Sequence, residues 1–313
     1  MVSVPSVAAG PRPEPDFAGL AAGFEERRLR ALRTTKARTL PAILGVGVAS
    51  LLCLVVAVRS EVWWALGGAM LAGFAAWRWR AAPRRDYLRA VKDEAFAAAI
   101  RLIGPGWRFE RKGGIDLGAL KPFGILPAYD DAKQEDLMAG PWAGTRVEIV
   151  EAVLTEERGS GNLDRDVEVF KGVIVRFTLP AAPGGRILIR RRYKGAPLFS
   201  GLERVRLETS RFEKRFNVWA EDQVAARVLL TVTVMERLVA LSNDLRRLGG
   251  GAPADRLEAS VVEDQLLVLV PCTTNLFEAR GEEEAGHVAR DIERLLAEVR
   301  DVLRLAEALG VAD

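Results

Sequence analysis

The sequence predicts an α+β protein in which an N-terminal two-helix transmembrane hairpin precedes a soluble domain, an antiparallel sheet packed by helices. Three observations predict it: two apolar runs near the N-terminus, strand-like alternation of apolar and polar residues in the middle of the chain, and helical spacing of apolar residues towards its end. The chain has 313 residues, 49% of them apolar, which is enough for a core and a membrane-embedded segment.

The predicted hairpin, residues 40–80, consists of two apolar runs. The first, 40–58, contains no charged residue, and as a helix it spans about 28 Å, close to the hydrocarbon thickness of a bilayer. The second, 62–79, is shorter, and a buried core helix is the alternative for it. Tryptophans at both of its ends and small residues along it favour a spanning helix packed on the first. They are Trp63, Trp64, Trp77 and Trp79, and Gly67, Gly68, Ala69, Ala72 and Gly73.

Positive charge surrounds the hairpin on its outer flanks. Residues 1–100 carry fourteen Lys and Arg against eight Asp and Glu, and the connection between the apolar runs holds a single Arg59 beside Glu61. By the positive-inside rule, we expect a multi-pass membrane protein with both termini in the cytoplasm. The total charge of +3 is too small to indicate nucleic-acid binding.

Three further segments frame the hairpin. Residues 1–16 are proline-rich and are predicted to be a disordered tail, with no cleavable signal peptide visible. Residues 17–39 fit a basic amphipathic helix on a membrane surface, and a solvated helix is equally compatible. Residues 84–103 predict a linker helix, which opens the cytoplasmic α+β domain over 84–313.

The soluble domain begins with a segment of little periodicity and continues as a predicted antiparallel meander. Residues 107–141 are rich in Gly and Pro and are expected to form loops with short helical turns. Alternation of apolar and polar residues then predicts strands over 146–153, 167–177 and 186–190, with glycine-rich turns between them.

Helices and one further strand region complete the predicted domain. Residues 221–248 indicate two successive helices, since Thr233 and Glu236 have capping-box spacing. Residues 257–271 return to strand character, and residues 284–309 predict a final helix with an apolar stripe. Packing of that stripe on the sheet is favoured over a coiled-coil seam, because the run barely exceeds three heptads.

Few side chains point to chemistry. The single histidine, His287, is interpreted as structural or solvated, and the two cysteines, Cys53 and Cys272, are expected to be reduced. With these residues no ordinary zinc site assembles, and no phosphate-binding glycine loop is present. A carboxylate metal site is a weak alternative to a solvated acidic loop at Asp130, Asp131, Glu135 and Asp136. No cofactor or catalytic site is predicted, and an enzyme is not favoured.

The most basic run of the soluble domain is the candidate contact surface. Arg190, Arg191, Arg192 and Lys194 are the residues predicted to meet anionic lipid or an acidic partner. The alternative is that they protect a strand end against edge-to-edge pairing.

One block of sequence resembles a known family. It comprises Phe212-Glu213-Lys214-Arg215-Phe216-Asn217-Val218, the stretch 221–231, and Met235-Glu236-Arg237-Leu238. This block is similar to an uncharacterised bacterial membrane-protein family catalogued as domain of unknown function 3137, or DUF3137. The family's Phe-x-Gly turn is matched by Phe170-Lys171-Gly172, and the likeness covers most of residues 20–280.

The resemblance implies no reaction, and it places the protein in a bacterial inner membrane. The motif residues admit a structural role: Phe212, Phe216 and Val218 can feed the core, Asp222 can cap a helix, and Arg227 can pair with carboxylates. Glu213 and Lys214 belong to the same motif.

Two functions are compatible with these features. The first is a membrane-anchored cytoplasmic scaffold or protein-interaction domain, with the C-terminal helix as the surface for a partner or a second copy. The second is a lipid-sensing or small-ligand-sensing module at the inner face of the membrane, with a pocket near the lipid headgroups. A hydrolase built on carboxylates alone ranks below both.

Overall fold

The computed structural model describes residues 17–60, 65–159, 165–192, 201–207, 210–248, 257–275, 277 and 287–310. The chain divides into two compact units. The first contains residues 1–89 and 281–289, and the second contains residues 90–280 and 290–313. The predicted tail 1–16, the hairpin turn with Trp63 and Trp64, and Lys194 lie outside the described residues.

The first unit is helical: α1 spans Phe17–Ala37, α2 spans Thr39–Ser60 and α3 begins at Ala65 and ends at Ala90. Within the described residues, one helical stretch, Ala22–Val56, is long and apolar enough to cross a membrane by length and composition. The first predicted apolar run is therefore helical and has the properties of a membrane span, and the described part of the second run, from Ala65, is helical as well.

Helices α2 and α3 run antiparallel beside each other. The Arg80 Nε donates to Thr39 Oγ1 over 2.9 Å, which joins the start of α2 to the far part of α3. At mid-length, a Cβ added to Gly68 would lie 3.2 Å from Cys53 Sγ, so the two helices approach closely there. The glycine at position 68 allows that approach.

The predicted linker helix over 84–103 is divided into three pieces. Helix α3 continues to Ala90, a π-helical stretch follows over Val91–Phe96, and α4 covers Ala97–Arg101. Lys92 in the π-helical stretch is buried and donates to Asp136 Oδ2 over 2.6 Å. A π-helical turn shifts the side-chain direction, which the periodic pattern of the sequence did not indicate.

The described residues of the second unit contain a nine-stranded sheet in the order β1-β2-β3-β4-β9-β8-β5-β7-β6, and every neighbouring pair is antiparallel. This confirms the predicted α+β class with an antiparallel sheet. The strands are β1 Arg108–Glu110, β2 Asp131–Trp142, β3 Thr145–Arg158, β4 Arg165–Thr178, β5 Ile187–Arg191, β6 Glu203–Val205, β7 Phe216–Ala220, β8 Glu258–Val262 and β9 Gln265–Pro271.

The prediction of loops over 107–141 was wrong for its last third, because residues 131–142 form β2. A β-bulge between Glu135 and Met138, with Asp136 at a φ of 58°, interrupts the alternation that a strand would show in sequence. The predicted strand region 257–271 is a hairpin of two strands, β8 and β9, rather than one strand.

The remaining helices are α5 Ser210–Glu213, α6 Gln223–Leu229, α7 Val232–Leu248 and α8 His287–Gly310. Two helices occupy 221–248, as predicted. The capping residue differs from the expected Thr233, because Thr231 Oγ1 accepts the hydrogen bond from the amide of Val234 in α7. The apolar stripe of α8 is buried within the chain from Val288 to Ala306, so it is not an open coiled-coil seam.

A core covers one face of the sheet. A 3₁₀ helix over Gly118–Phe123 lays Leu120 and Phe123 on this face, against side chains from the central strands. These include Ile174 of β4 and Leu267 of β9, which are fully buried. The chain leaves the 3₁₀ helix at Gly124 and passes over the sheet, and the candidate site lies beneath that passage.

Candidate ligand-binding cavity

A cavity of about 630 Å³ lies on this face of the second unit, which is within the size range of small-molecule sites. One wall is the segment Gly124–Pro127, and strands β4, β5, β8 and β9 together with the two residues that follow β9 supply the rest. The lining residues are Gly124, Ile125, Leu126, Pro127, Glu168, Val169, Phe170, Lys171, Arg190, Arg191, Glu258, Leu269, Pro271, Cys272 and Thr273.

Arg190 ties the wall to the sheet. Its Nη2 donates to the carbonyl oxygen of Gly124 over 2.9 Å. Gly124 has a φ of 68°, a left-handed conformation that ends the 3₁₀ helix and suits glycine. The arginine therefore has a structural contact with the loop as well as a position on the cavity surface.

The same guanidinium has an incomplete set of partners. Arg190 Nε forms an ion pair with Glu258 Oε2 at 3.6 Å, a separation too long for a hydrogen bond, and the side chain is 14% exposed. Among the described residues, this buried Nε–H has no hydrogen-bond acceptor. Since a buried donor without a partner is costly, an acceptor such as a ligand oxygen or a water is expected there.

The cavity has a mixed but net basic character. Lys171, Arg190 and Arg191 are its basic residues, and Glu168 and Glu258 are its acidic ones. Phe170 and Leu269 supply an apolar floor and are part of the core on this face. An apolar floor with a few charged groups is typical of a site that orients a small polar ligand.

Cys272, directly after β9, also lines the cavity, but its thiol is not a nucleophile. The residue is 5% exposed, and its Sγ lies 3.5 Å from the carbonyl oxygen of Val270. Burial, followed by the nearby carboxylates of Glu151 and Glu298, raises the pKa of this thiol to about 12. It is therefore a neutral thiol at physiological pH.

The structure divides the basic run predicted as a contact surface. Arg190 and Arg191 lie in the cavity, whereas Arg192 is exposed and is absent from the cavity lining. The backbone amide of Arg192 donates to the carbonyl of Arg215 over 2.7 Å. Lys194 is outside the described residues. The run is thus not a single surface.

The motif residues have structural contacts. Phe212 and Phe216 are buried with ring centroids 5.1 Å apart, and Phe216 begins β7, a strand that the alternation did not predict. Glu213 Oε1 accepts from the amide of Leu207 over 2.8 Å, and Lys214 is exposed.

Two further motif residues act within α6. Asp222 is its N-cap and accepts from the amides of Val224 and Ala225. Arg227 donates to the backbone and side-chain oxygens of Gln223 one turn earlier, rather than to a carboxylate as expected.

The other singled-out side chains do not form a reactive centre. Asp130 Oδ2 accepts a hydrogen bond from the amide of Glu157, and Asp136 is buried against Lys92. The predicted acidic loop is therefore wrong, because Asp130 directly precedes β2 and the other three residues lie within it. His287 is buried and hydrogen-bonded to Tyr87 over 2.6 Å, which excludes the solvated alternative. The described residues contain no group of three His, Cys, Asp or Glu that could hold a metal ion.

Residues 168–311 match the family described as "Protein of unknown function (DUF3137)". The DUF3137 resemblance is confirmed for this segment. All cavity residues except the wall Gly124–Pro127 lie in the DUF3137 segment, and so does the complete Phe-Glu-Lys motif.

Comparison with curated proteins found no match. One solved structure is similar: the crystal structure of the mycobacterial trehalose monomycolate transport factor A, TtfA, with 14% identity, 71% of this chain and 97% of that chain covered, and a TM-score of 0.36. A similarity this low carries no inference about function.

Sequence reasoning did not find Glu258, Lys171 or the Gly124 wall as site residues. Glu258 begins a strand, where a charged residue suggests a boundary, and Lys171 belonged to a presumed turn. The one signal was the run Gly124-Ile125-Leu126-Pro127, an apolar stretch inside a segment otherwise interpreted as surface loops.

Proposed function

We propose that this protein is a membrane-anchored binding module whose DUF3137 segment holds a small anionic ligand in the cavity beside Arg190. The observation that carries the proposal is the incomplete hydrogen bonding of Arg190 beside the cavity: its buried Nε–H is ion-paired with Glu258 at 3.6 Å but has no hydrogen-bond acceptor among the described residues. It is the second of the two functions that the sequence suggests, and the cavity beside Arg190 supports it.

The chemistry favours a carboxylate or a phosphate group. A guanidinium offers donors in a planar fork that matches the oxygens of both anions. Lys171 and Arg191 add positive charge, while Glu168 and Glu258 offer acceptors for hydroxyl or amino groups of the same ligand. The anion can belong to a soluble metabolite or to a lipid headgroup.

The test uses the full-length protein in mild detergent, with inorganic phosphate as the probe and the thermal midpoint as the readout. Phosphate should raise the midpoint of the wild type in a concentration-dependent manner. Vesicles of phosphatidylglycerol form a second arm, and an effect of vesicles but not of phosphate indicates a headgroup.

Arg191→Gln removes one cavity charge, and Arg192→Gln is the matched control because Arg192 lies next in sequence but outside the cavity lining. We expect the first to weaken the phosphate effect about five-fold or more, and the control to retain it. Arg190→Gln should abolish the phosphate effect. Because this variant also loses the contact with Gly124, its response is measured relative to its own midpoint without phosphate. An equal response of all four proteins, or none in the wild type, contradicts the proposal.

The membrane anchor is proposed as a two-helix hairpin of α2 and α3 with both termini in the cytoplasm, in a bacterial inner membrane. In its support, apolar side chains are exposed along both helices, among them Leu51 and Val55 of α2 and Met70 and Leu71 of α3. Soluble monomers rarely expose apolar surface on this scale.

Topology is testable by cysteine labelling. In a Cys53→Ala, Cys272→Ala background, Glu61→Cys should react with a membrane-impermeant maleimide added outside intact cells. A cysteine introduced at Asp313 should react only after lysis. The reverse pattern, or labelling of both positions only after lysis, contradicts the hairpin.

A protein-interaction domain is the second candidate. The α8 stripe is buried, so it is not the expected partner surface. However, Val224, Val228 and Val232 are 59–68% exposed at a spacing of four residues along α6 and the start of α7. If they meet a partner, Val228→Lys should remove a stoichiometric protein from the native purification; an unchanged set of proteins argues against it.

A further inference from the structure

One carbonyl group of helix α3 lacks its helical donor. Pro83 lies inside α3 and has no amide hydrogen, so the carbonyl of Trp79, four residues earlier, receives no bond from it. The guanidinium of Arg38 donates to this oxygen over 3.0 Å. Arg38 Cζ also lies 4.9 Å from the Trp79 ring centroid, a cation–π distance. Arg38 is therefore held against α3 by two contacts.

Three more arginines gather at the same end of the helix pair. Arg80 bonds Thr39 across to α2, Arg85 Nη2 donates to the carbonyl of Arg78 over 2.6 Å, and Arg78 lies 5.8 Å from the Phe74 ring. We name Arg38, Arg78, Arg80 and Arg85 the basic collar. Each of their contacts is to a neutral group.

Among the described residues, the charges of the basic collar are not neutralised by the neighbouring chain. In the part of the chain that the structure describes, no carboxylate is within ion-pair range of these four guanidinium groups. By contrast, Arg28 and Arg30 of α1 pair with Glu25 and Glu26. Four positive charges without counter-charges create a favourable site for an anion.

The basic collar also sits where the apolar surface begins. Leu40, two residues after Arg38, is 65% exposed, and Trp77 and Trp79 are 57% and 47% exposed. Exposed apolar and aromatic side chains next to arginines are the arrangement found at the boundary between acyl chains and headgroups.

We propose that the basic collar binds the phosphate of an anionic phospholipid headgroup, with the acyl chains along α2 and α3. Charge complementarity and continuity with the exposed apolar surface identify the occupant. The inference rests on the proposed membrane anchor, and it concerns a site separate from the cavity beside Arg190.

The test is native mass spectrometry of the full-length protein released from detergent containing equal amounts of phosphatidylglycerol and phosphatidylcholine with the same acyl chains. The wild type should retain phosphatidylglycerol in preference. Arg78→Gln, which removes a charge without breaking a described hydrogen bond, should lower this preference about five-fold, and Arg38→Gln/Arg80→Gln about 25-fold.

The matched control is Arg30→Gln/Arg33→Gln, which removes the same charge from α1 in the same unit. It should change the preference by less than about two-fold, because Arg30 is already paired with Glu26 and neither Arg30 nor Arg33 belongs to the basic collar. If the control loses its preference for phosphatidylglycerol to the same extent, the proposed site is wrong and the preference reflects non-specific attraction between positive charge and anionic lipid. Equal retention of both lipids by the wild type refutes the collar but leaves the anchor. Retention of neither lipid, with solubility in the absence of detergent, refutes both.

Discussion

A Cβ on residue 172 would lie 2.2 Å from the carbonyl oxygen of Val270, so only glycine fits between strands β4 and β9 at this position. The Phe-Lys-Gly sequence was interpreted as the family's Phe-x-Gly turn. In the structure it lies inside β4, where Gly172 is paired with Pro271 and the amide of Cys272 bonds the carbonyl of Lys171. The glycine is needed for a close approach of backbones, next to the cavity.

Gly172→Ala should therefore destabilise the protein by about 3 kcal/mol, because the strands must separate to admit the methyl group. Gly104→Ala is the control, since its Cβ would meet the Trp107 ring at an ordinary 3.6 Å. Chemical unfolding in detergent gives both values. A change below about 0.5 kcal/mol for Gly172→Ala would show that the strands have room to adjust.

Lys92 and Asp136 form a buried ion pair whose loss should be costly. Lys92→Met or Asp136→Asn leaves one charge buried without its partner, and we expect each to cost about 3–5 kcal/mol. Asn suits the positive φ of position 136. In the control pair Arg108 and Glu110, both side chains are about half exposed, and Arg108→Gln should cost about 0–1 kcal/mol. Additive effects in the double variant would contradict direct pairing.

Cys272 should be inert towards thiol reagents in the folded protein. In a Cys53→Ala background, labelling at pH 8 should proceed only at the rate of unfolding, since the raised pKa keeps the thiol protonated and burial hinders access. Rapid native labelling would refute this.

The same thiol predicts a pH dependence of stability. The folded state keeps the proton between a pKa of about 9 in the unfolded chain and about 12 in the folded one. The contribution of the Cys272 thiol to the free energy of unfolding is complete below pH 9 and is lost as the pH rises towards 12. As the pH rises from 9 towards 12, the Cys53→Ala protein should therefore lose stability relative to its Cys272→Ala derivative. A difference independent of pH would contradict it.

Asp222→Ala should cost about 1 kcal/mol, because two amides at the start of α6 lose their acceptor. Glu236→Ala, at an exposed position inside α7, is the control and should be neutral or slightly stabilising. Thermal unfolding compares the two. Equal midpoints would mean that solvent replaces the cap.

Charge in the sequence misled the interpretation of β2. Asp130, Asp131, Glu135 and Asp136 looked like a solvated loop, since acidic residues are rarely buried. Asp136 is fully buried because Lys92, 44 residues earlier, compensates its charge. No local pattern could reveal that pairing.

The cavity was equally difficult to foresee. Arg190 and Arg191 were singled out for their charge, and both line it, but Glu258 and Gly124 join them from distant parts of the chain. Strands β5, β8 and β9 come together through the sheet order rather than through sequence proximity.

The sequence by itself determined the α+β class, the apolar N-terminal helix, the paired helices after residue 221 and the long amphipathic α8, because each depends on the pattern within one segment. It also determined the cap at Asp222, which is a local hydrogen bond. Only the tertiary structure decided that residues 131–142 are a strand, that the α8 stripe is buried, and that Arg190, Glu258 and Gly124 share a cavity. Those features depend on contacts between segments far apart in the chain, whose energies no local pattern records.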